Sequence, residues 1–406
     1  MLKGKTVILG VSGGIAVYKS VELLRLLIKA GADVHVVMTA SAREFVTPLT
    51  FQTLSGNPVH TELFNLYQER EIGHISLADR ADLFVLAPAT ANLIGKIAQG
   101  LADDLLTTTL MATKAPVLVV PAMNTNMYEN PFYRRNEQIL RDAGYHLLDP
   151  VHGDLACGWA GQGKMPDPQD IIGAVEHVLT AKDLQGCRIL VSAGPTREEI
   201  DPVRYLTNYS SGRMGYAIAV AAHRRGARVT LVAGPCQFPP PTGIETISVI
   251  SAQQMYDAML DCYDRANVVI KAAAVADYRP IKRQDQKMKK KSTSVSIELE
   301  KTADILAELG RRKKKQFLIG FAAETEKLVE HATEKLISKN LDMIVANDVS
   351  APGAGFDVDT NIVRFLHRDG REEQFEQMSK AAVADQLLDR VCSTWQQNSR
   401  TGIKQP

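Results

Sequence analysis

The chain has 406 residues, of which 45% are hydrophobic, and this is enough for two or three domains with buried cores. Its 47 Lys and Arg residues nearly balance 46 Asp and Glu residues, and the net charge of +1 argues against a dedicated nucleic-acid binder. No signal-peptide pattern and no run of about 18 apolar residues is found, so we expect a cytoplasmic protein without a membrane span.

Apolar strands alternate with helical patterns along the chain, which predicts parallel sheets covered by helices. The strands predicted in the first half are Thr6–Gly10, Asp33–Met38, Leu83–Ala87 and Pro116–Val120, and the helices are Ile15–Lys29, Arg134–Ala143 and Pro168–Thr180. The pattern restarts after residue 181, with predicted strands Cys187–Ser192, Arg228–Val232, Val268–Lys271, Phe317–Gly320 and Asp342–Val345 and a helix Met214–Arg224. We therefore predict two open, mainly parallel α/β domains of the Rossmann-like or flavodoxin-like type at 1–181 and 186–395, with a flexible tail at 396–406.

The first predicted strand leads through GVSGGIA directly into a helix. Gly13 and Gly14 permit a tight turn and a close backbone approach, Ser12 adds a hydroxyl, and the helix start offers free N–H groups, which together suit a phosphate. The segment is not GxGxxG, and the second strand ends in VVMTASA, which contains Thr39 but no ribose-binding acid. The pattern favours a mononucleotide over a dinucleotide, with a purely structural turn as the alternative.

The next two strand ends carry small and polar residues. The third strand ends in APATAN, with Ala89, Thr90 and Asn92, and PAMN places Asn124 after the fourth. Ligands of parallel sheets bind at such carboxyl ends, so these residues can lie over a flat ring system, although a simple capped helix explains APATAN as well.

Two residues suited to proton transfer lie in the same half. His74 stands in GHISL just before a predicted helix, where a single histidine is more often structural. Cys157 stands in the glycine-rich DLACGWAGQGKM, which we expect to lack regular structure. A cysteine in such a loop suits chemistry better than a buried cysteine does.

In this order, GVSGG, GHI, APATAN, PAMN and ACG resemble the homo-oligomeric flavin-containing cysteine decarboxylase family over roughly residues 1–180. The resemblance implies FMN held by the GVSGG turn and APATAN, and a trimer-based assembly. It also implies that His74 assists decarboxylation, Asn124 positions the substrate and Cys157 donates a proton late in the cycle. Loss of carbon dioxide from a cysteinyl amide needs an electron sink, which flavin oxidation of the thiol to a thioaldehyde supplies.

The second half opens with AGPTREEIDPVRYLTNYSSGRMG, a long polar connection between a strand and a helix. Its end, SSGRMG, can cradle phosphates through main-chain N–H groups. Asp277 in KAAAVADYRP precedes the basic run Lys282–Lys291, in which Lys287 can neutralise a triphosphate. Nucleic-acid binding is the alternative for this run, but the run lacks interleaved aromatic residues.

The series AGPTRE, DPVR, NYSSGRMG, AAVADY, KMKK, GFAAET and ANDV closely resembles phosphopantothenate–cysteine ligase over roughly residues 186–395. The resemblance implies a dimer that uses CTP with Mg²⁺, whose protein ligands stay unassigned. Arg204 is expected to contact phosphopantothenate, and Asn208 to orient an acyl-cytidylate. The residues expected to surround the nucleotide are Lys271, Ala272, Ala273, Asp277, Lys287, Ala303, Asp304, Ile305, Leu306, Phe321, Lys335 and Lys339. Ala303 replaces the family's usual proline, which we expect to alter loop stiffness rather than function.

Together the resemblances imply a bifunctional enzyme of coenzyme A biosynthesis. Its ligase half joins cysteine to phosphopantothenate, and its flavin half decarboxylates the product to phosphopantetheine. Two other classes stay open: a regulatory FMN-binding protein, which has no need of a ligase half, and a nicotinamide-dependent reductase, against which the missing GxGxxG counts.

Overall fold

The computed structural model describes residues 2–64, 73–155, 158–289, 296–324, 327–348 and 358–400. The chain divides into two compact units, Met1–Thr180 and Ala181–Pro406. None of the helices in these described ranges is long and apolar enough to cross a membrane.

The first unit is built on a six-stranded parallel sheet. Its strands are β1 (Thr6–Val11), β2 (Asp33–Met38), β3 (Val59–His60), β4 (Leu83–Ala89), β5 (Val117–Pro121) and β6 (His146–Leu147), and a separate hairpin is formed by β7 (Val151–Asp154) and β8 (Ala160–Lys164). The helices are α1 (Val17–Lys29), α2 (Ala40–Arg43), α3 (Pro48–Ser55), α4 (Gly73–Arg80), α5 (Ala91–Ala98), α6 (Leu105–Ala112), α7 (Thr125–Glu129), α8 (Pro131–Asp142) and α9 (Pro168–Leu179). The sheet order β3-β2-β1-β4-β5-β6 is that of a Rossmann fold and reverses between β1 and β4.

The central strands of this sheet are buried on both faces. Val7 and Leu9 pack with Leu23 and Leu27 of α1, whereas Ile8 belongs to the apolar cluster on the opposite face. Side chains alternate between the faces of a strand, so a strand covered on both sides must be apolar almost throughout. This is why the strand appears in the sequence as a continuous apolar run.

The second unit is built on a mixed eight-stranded sheet. The described strands of this unit, eight in the main sheet and six in three two-stranded sheets, are β9 (Arg188–Ala193), β10 (Arg197–Glu199), β11 (Tyr205–Thr207), β12 (Arg228–Ala233), β13 (Glu245–Ser248), β14 (Val268–Lys271), β15 (Tyr278–Pro280), β16 (Leu299–Lys301), β17 (Phe317–Glu324), β18 (Met343–Asp348), β19 (Thr360–Asn361), β20 (Val363–His367), β21 (Glu372–Gln374) and β22 (Met378–Ser379). The helices are α10 (Arg213–Arg224), α11 (Ala252–Tyr263), α12 (Ile305–Arg312), α13 (Leu328–Ser338) and α14 (Lys380–Arg400).

The order of this sheet is β13-β12-β9-β14-β17-β18-β20-β21. Its six parallel strands have the same Rossmann order as the first unit, with the reversal between β9 and β14, while β20 and β21 are antiparallel. The predicted α/β class with open, mainly parallel sheets is confirmed.

The prediction that the glycine-rich stretch around Cys157 lacks regular structure is wrong for β8. A Cβ at Gly161 would lie 2.3 Å from Thr125 Oγ1, and one at Gly163 would lie 2.3 Å from the carbonyl oxygen of Met123. The glycines therefore permit a strand to approach the loop after β5 closely. At the other end of the chain, α14 continues through residues 396–400 of the predicted tail, and 401–406 lie outside the described residues.

Candidate active sites

The carboxyl ends of β1 and β4 are joined by Ser12. Its buried hydroxyl donates to the Pro88 carbonyl at 2.7 Å and accepts the N–H of Thr90 at 3.0 Å. The two strands border the reversal of sheet order, where open α/β sheets bind their ligands. Ser12 thus fixes the two edges of a candidate binding crevice.

Gly13 and Gly14 have different surroundings. A Cβ at Gly13 would lie 2.3 Å from Ser41 Cβ and 2.7 Å from the main chain of that residue, so only glycine fits there. A Cβ at Gly14 would meet only Thr90 Cγ2, at an ordinary 3.7 Å. Within the described ranges, the N–H groups of residues 13–16 have no acceptor, and α1 begins immediately after them. This turn is therefore suited to an anion.

A cavity of about 380 Å³ lies beside this turn. Pro88, Ala91, Met123 and Met127 give it apolar walls, and the main chain of the turn gives it a polar end. A mainly apolar cavity with a few placed polar groups suits a flat ring system that carries a phosphate.

The cavity brings together only part of the predicted flavin set. Of that set, its lining includes Gly13, Gly14, Thr90 and Asn124. The members that do not line it are Ser12, which is buried between β1 and β4, a buried Ala89 in β4, an exposed Asn92 in α5, Thr39 as the N-cap of α2, and a partly buried His74 in the first turn of α4. Cys157 lies outside the described residues.

Lys19 is a site residue that the sequence analysis missed. Its largely buried ammonium donates to the Met165 carbonyl at 2.9 Å and to Asp167 Oδ1 at 3.0 Å, which ties α1 to the segment after β8. The N–H of Met123 donates to the carbonyl of Gly163 at 3.0 Å, which ties β8 to the loop of Asn124. The sequence did contain a signal for Lys19, because this charged residue occupies a position where the apolar stripe of α1 predicts a hydrophobic side chain.

The second unit has a related turn at the start of α10. Gly212 has a left-handed φ of 80°, and a Cβ there would lie 2.4 Å from Cys236 Sγ. A Cβ at Gly215 would lie 2.5 Å from Ala193 Cβ, so α10 packs directly on the end of β9. The N–H groups of residues 212–215 have no acceptor in the part of the chain that the structure describes. This is a second anion cradle at a helix start.

A cavity of about 460 Å³ opens at this second turn. Five of the predicted ligase residues line it, namely Asn208, Lys271, Ala272, Ala273 and Phe321. Arg213, Asn347, Asn361 and Lys380 also line it and were not predicted individually. The motifs SSGRMG and ANDV contain the first two, whereas no motif that we identified contains the last two.

Asn208 joins the loops that follow β9 and β14. Its side-chain amide donates to the carbonyls of Ala274 at 3.2 Å and Val275 at 3.1 Å. Lys271 lies beside it and donates to the Ala273 carbonyl at 2.8 Å. Burial, assisted by repulsion from Lys339, lowers the pKa of Lys271 to about 8. This wall of the cavity therefore carries an oriented amide and a lysine that loses its proton at a lower pH than an ordinary lysine does.

The loop before α12 brings Asp304 close enough to Lys271 for its carboxylate to attract the ammonium group. Asp304 accepts the N–H of Ala307 at 3.0 Å as the N-cap and pairs with Lys339 at 2.8 Å. The side chains of Ile305 and Leu306 are in the apolar core, so only their main chain is available to a ligand.

The remaining predicted nucleotide residues are Asp277, Ala303, Lys335 and Lys287. Asp277 and Ala303 are exposed, and the Asp277 carbonyl accepts the N–H of Thr302 at 2.9 Å. Lys335 is partly buried and Lys287 is exposed. Neither residue lines the cavity at α10.

Comparison with known proteins identifies the family. Residues 1–180 match the family model "Flavoprotein", and residues 184–394 match "DNA/pantothenate metabolism flavoprotein C-terminal domain". The coenzyme A biosynthesis bifunctional protein CoaBC of Bacillus subtilis is 50% identical over 397 residues, which are 97% of this chain and 98% of that protein. This chain belongs to the CoaBC family.

Another member agrees with this. CoaBC of Haemophilus influenzae is 45% identical over 397 residues, with 97% of this chain and 99% of that protein covered. The crystal structure of a CoaBC C-terminal domain is 46% identical, covers 53% of this chain and 100% of that domain, and has a TM-score of 0.47. As a CoaBC, the protein is a bifunctional enzyme of coenzyme A biosynthesis, with a flavoprotein decarboxylase half and a phosphopantothenate–cysteine ligase half.

Proposed function

We propose that residues 186–395 join phosphopantothenate to cysteine at the expense of CTP, and that residues 1–181 decarboxylate the product with FMN to give phosphopantetheine. The observation that carries the ligase proposal is the row of free N–H groups at 212–215 beside a cavity walled by Asn208 and Lys271. Such a cavity suits a nucleotide whose phosphates meet the helix start.

Ligation needs an activated carboxyl group. The carboxylate of phosphopantothenate attacks the α-phosphorus of CTP, which forms an acyl-cytidylate and releases pyrophosphate. The cysteine amine then attacks the acyl carbon, forms the C–N bond and releases CMP. The cradle at 212–215 and Lys271 hold the phosphates, Lys287 stabilises the departing pyrophosphate, and Asn208 orients the acyl-cytidylate. Arg204, whose side chain is 49% exposed, contacts phosphopantothenate.

Mg²⁺ enters this half with the triphosphate. No group of three or more His, Cys, Asp or Glu residues able to hold a metal ion occurs within the described ranges. Magnesium at nucleotide sites keeps several waters and is held by one or two carboxylates together with phosphate oxygens. The exposed carboxylates of Asp277 and Asp304, beside Lys271, fit this type of site.

The flavin half fits FMN in its anion-binding turn and apolar cavity. Bound FMN supplies the oxidation of the substrate thiol that makes loss of carbon dioxide possible and the reduction that completes the reaction. Asn124, on the cavity wall, orients the substrate carboxylate. His74 assists decarboxylation, and Cys157 donates the proton that completes the product.

The flavin half forms trimers, and the ligase half forms dimers. Large apolar side chains are exposed in both halves, among them Leu49 and Phe132 in the first, with 70% and 71% exposure, and Val203 and Ile281 in the second, with 58% and 57%. Apolar side chains of this kind mark a face that is covered in an assembly where they form one contiguous patch.

The test is incubation of the purified protein with phosphopantothenate, cysteine and each nucleoside triphosphate in turn, followed by mass analysis. We expect phosphopantetheine with CTP alone, and a yellow flavin absorption band. Equal product with every triphosphate would contradict the role of CTP. Accumulation of phosphopantothenoylcysteine without phosphopantetheine would contradict the role of the first half.

Lys271 gives a pH-dependent signature of nucleotide binding. At pH 9 it is mostly neutral, because its pKa is about 8 in place of 10.5. A bound triphosphate raises this pKa, so we expect CTP binding at pH 9 to take up about one proton, and less as the pH approaches 7.

Without ligand, the folded state binds fewer protons than the unfolded state between pH 8 and 10.5, so this group's contribution to the free energy of unfolding increases as the pH rises.

Calorimetric titration at pH 9, in two buffers of different ionisation enthalpy, measures this uptake. The control is Lys271→Met, which fills similar space without a titratable group. Equal proton uptake by the wild type and the variant would show that Lys271 does not meet the triphosphate.

A further inference from the structure

Asp201 is the centre of the loop that carries Arg204. Its side chain is 0% exposed. Oδ1 accepts the N–H groups of Val203 at 2.8 Å and Arg204 at 2.9 Å. Oδ2 accepts Arg204 Nε at 2.9 Å and Nη2 at 2.5 Å, and also the N–H of Met288 at 3.1 Å. Hydrogen bonds from Arg204 hold the pKa of this carboxyl group well below its usual range.

The same network holds the main chain next to Lys287. Met288 donates its N–H to Asp201, and its carbonyl accepts Arg204 Nη2 at 3.2 Å. The peptide groups of Met288 are therefore bound on both sides, and Lys287 is the residue immediately before it. Arg204 and Lys287 are far apart in the sequence, yet a single buried carboxylate connects them.

We infer that Asp201 is a positioning residue of the ligase reaction. Its carboxylate sets the position of Lys287 by binding Met288, and the same carboxylate fixes the guanidinium of Arg204. This rests on the proposed roles of Arg204 and Lys287. Only a carboxylate can serve here, because every group that faces Oδ1 and Oδ2 is a donor. Binding of phosphopantothenate at Arg204 and presentation of Lys287 to the triphosphate are thereby coupled.

A neighbouring ion pair provides the matched control. Glu199 pairs with Arg283 at 2.5 Å, between the same two segments, but both side chains are about half exposed. An exposed ion pair contributes little. Glu199→Gln removes the same charge as Asp201→Asn without touching Met288 or Arg204.

The test is the rate of pyrophosphate release from CTP by full-length Asp201→Asn. The amide turns one acceptor into a donor that faces the guanidinium and the N–H of Met288. We expect the rate to fall about tenfold or more, as for the loss of a charge-assisted hydrogen bond, and the KM for phosphopantothenate to rise. Glu199→Gln is expected to keep the wild-type rate.

A role through Lys287 also requires non-additivity. At saturating phosphopantothenate, where the effect of Arg204 on binding no longer counts, we expect Asp201→Asn/Lys287→Ala to be slower than Lys287→Ala alone by less than about twofold, because the two residues then act on one step. Asp201→Ser repeats the test if the amide disturbs folding, since a serine oxygen still accepts the N–H of Val203 in the turn. Trypsin cleavage after Lys287 is expected to be faster in both Asp201 variants than in Glu199→Gln.

Wild-type pyrophosphate release and an unchanged KM in both Asp201 variants would overturn the inference. So would a double variant whose defect equals the product of the two single defects. The proposed function fails separately, namely when the wild-type protein releases no pyrophosphate from CTP. Unchanged decarboxylation of supplied phosphopantothenoylcysteine shows that the first half of each variant is intact.

Discussion

Gly13→Ala is expected to yield a protein that has lost most of its flavin but still ligates. The new methyl group would lie 2.3 Å from Ser41 Cβ and 2.7 Å from the main chain of that residue, so the turn after β1 or the start of α2 must move. Overpacking of this kind costs about 1–3 kcal/mol. At about 1.4 kcal/mol for each factor of ten, we expect flavin affinity to fall about tenfold or more.

Flavin absorbance per mole of purified protein measures this effect. Gly173→Ala in α9 is the matched control, because a Cβ there has no atom within 4 Å. We expect Gly173→Ala to keep wild-type flavin and Gly13→Ala to accumulate phosphopantothenoylcysteine. Wild-type flavin content in Gly13→Ala would show that the turn does not hold the cofactor.

Asn208→Ala is expected to have the converse effect. It removes the amide that joins the Ala274 and Val275 carbonyls to the loop before α10. Loss of an oriented donor at a reacting centre lowers kcat by about 10²–10³-fold, and we expect an effect of this size on amide formation. Pyrophosphate is still released in the first turnover, so the reaction stops after activation by CTP.

Rapid-quench measurement of pyrophosphate and of phosphopantothenoylcysteine in a single turnover separates the two steps. The control is Gln253→Ala, which removes an exposed amide from α11 in the same half. Decarboxylation of supplied phosphopantothenoylcysteine should be normal in both variants. Normal amide formation by Asn208→Ala would refute its assignment to the acyl-cytidylate.

Long elements of the fold could be predicted because burial on both faces leaves a clear pattern. The predicted strand Val268–Lys271 is β14 itself, and the predicted helix Pro168–Thr180 differs from α9 by one terminal residue. The antiparallel strand pairs β10–β11 and β15–β16 were not predicted. Their strands span only three residues each, too few to show a period of two.

The candidate sites were predicted unevenly for a similar reason. Residues that closely follow a strand of the main sheet, such as Gly13 after β1 and Ala272 after β14, are placed at the sheet edge by topology alone. Lys19 and Asp201 act on residues 146 and 87 positions away, and only tertiary packing brings these groups together. The positions of Ile305 and Leu306 could not be deduced from a motif, because a motif does not reveal which side of a helix faces the core.

The alternating glycines of β8 affect how this hairpin can vary in evolution. Gly161 and Gly163 are buried, whereas Ala160, Gln162 and Lys164 are exposed. One side of the strand is therefore bare main chain that lies flush against the loop of Asn124, and the other side meets solvent. Substitutions can accumulate at 160 and 162 without displacing the hairpin. Almost any side chain at 161 or 163 would instead push the hairpin away from the loop of Asn124.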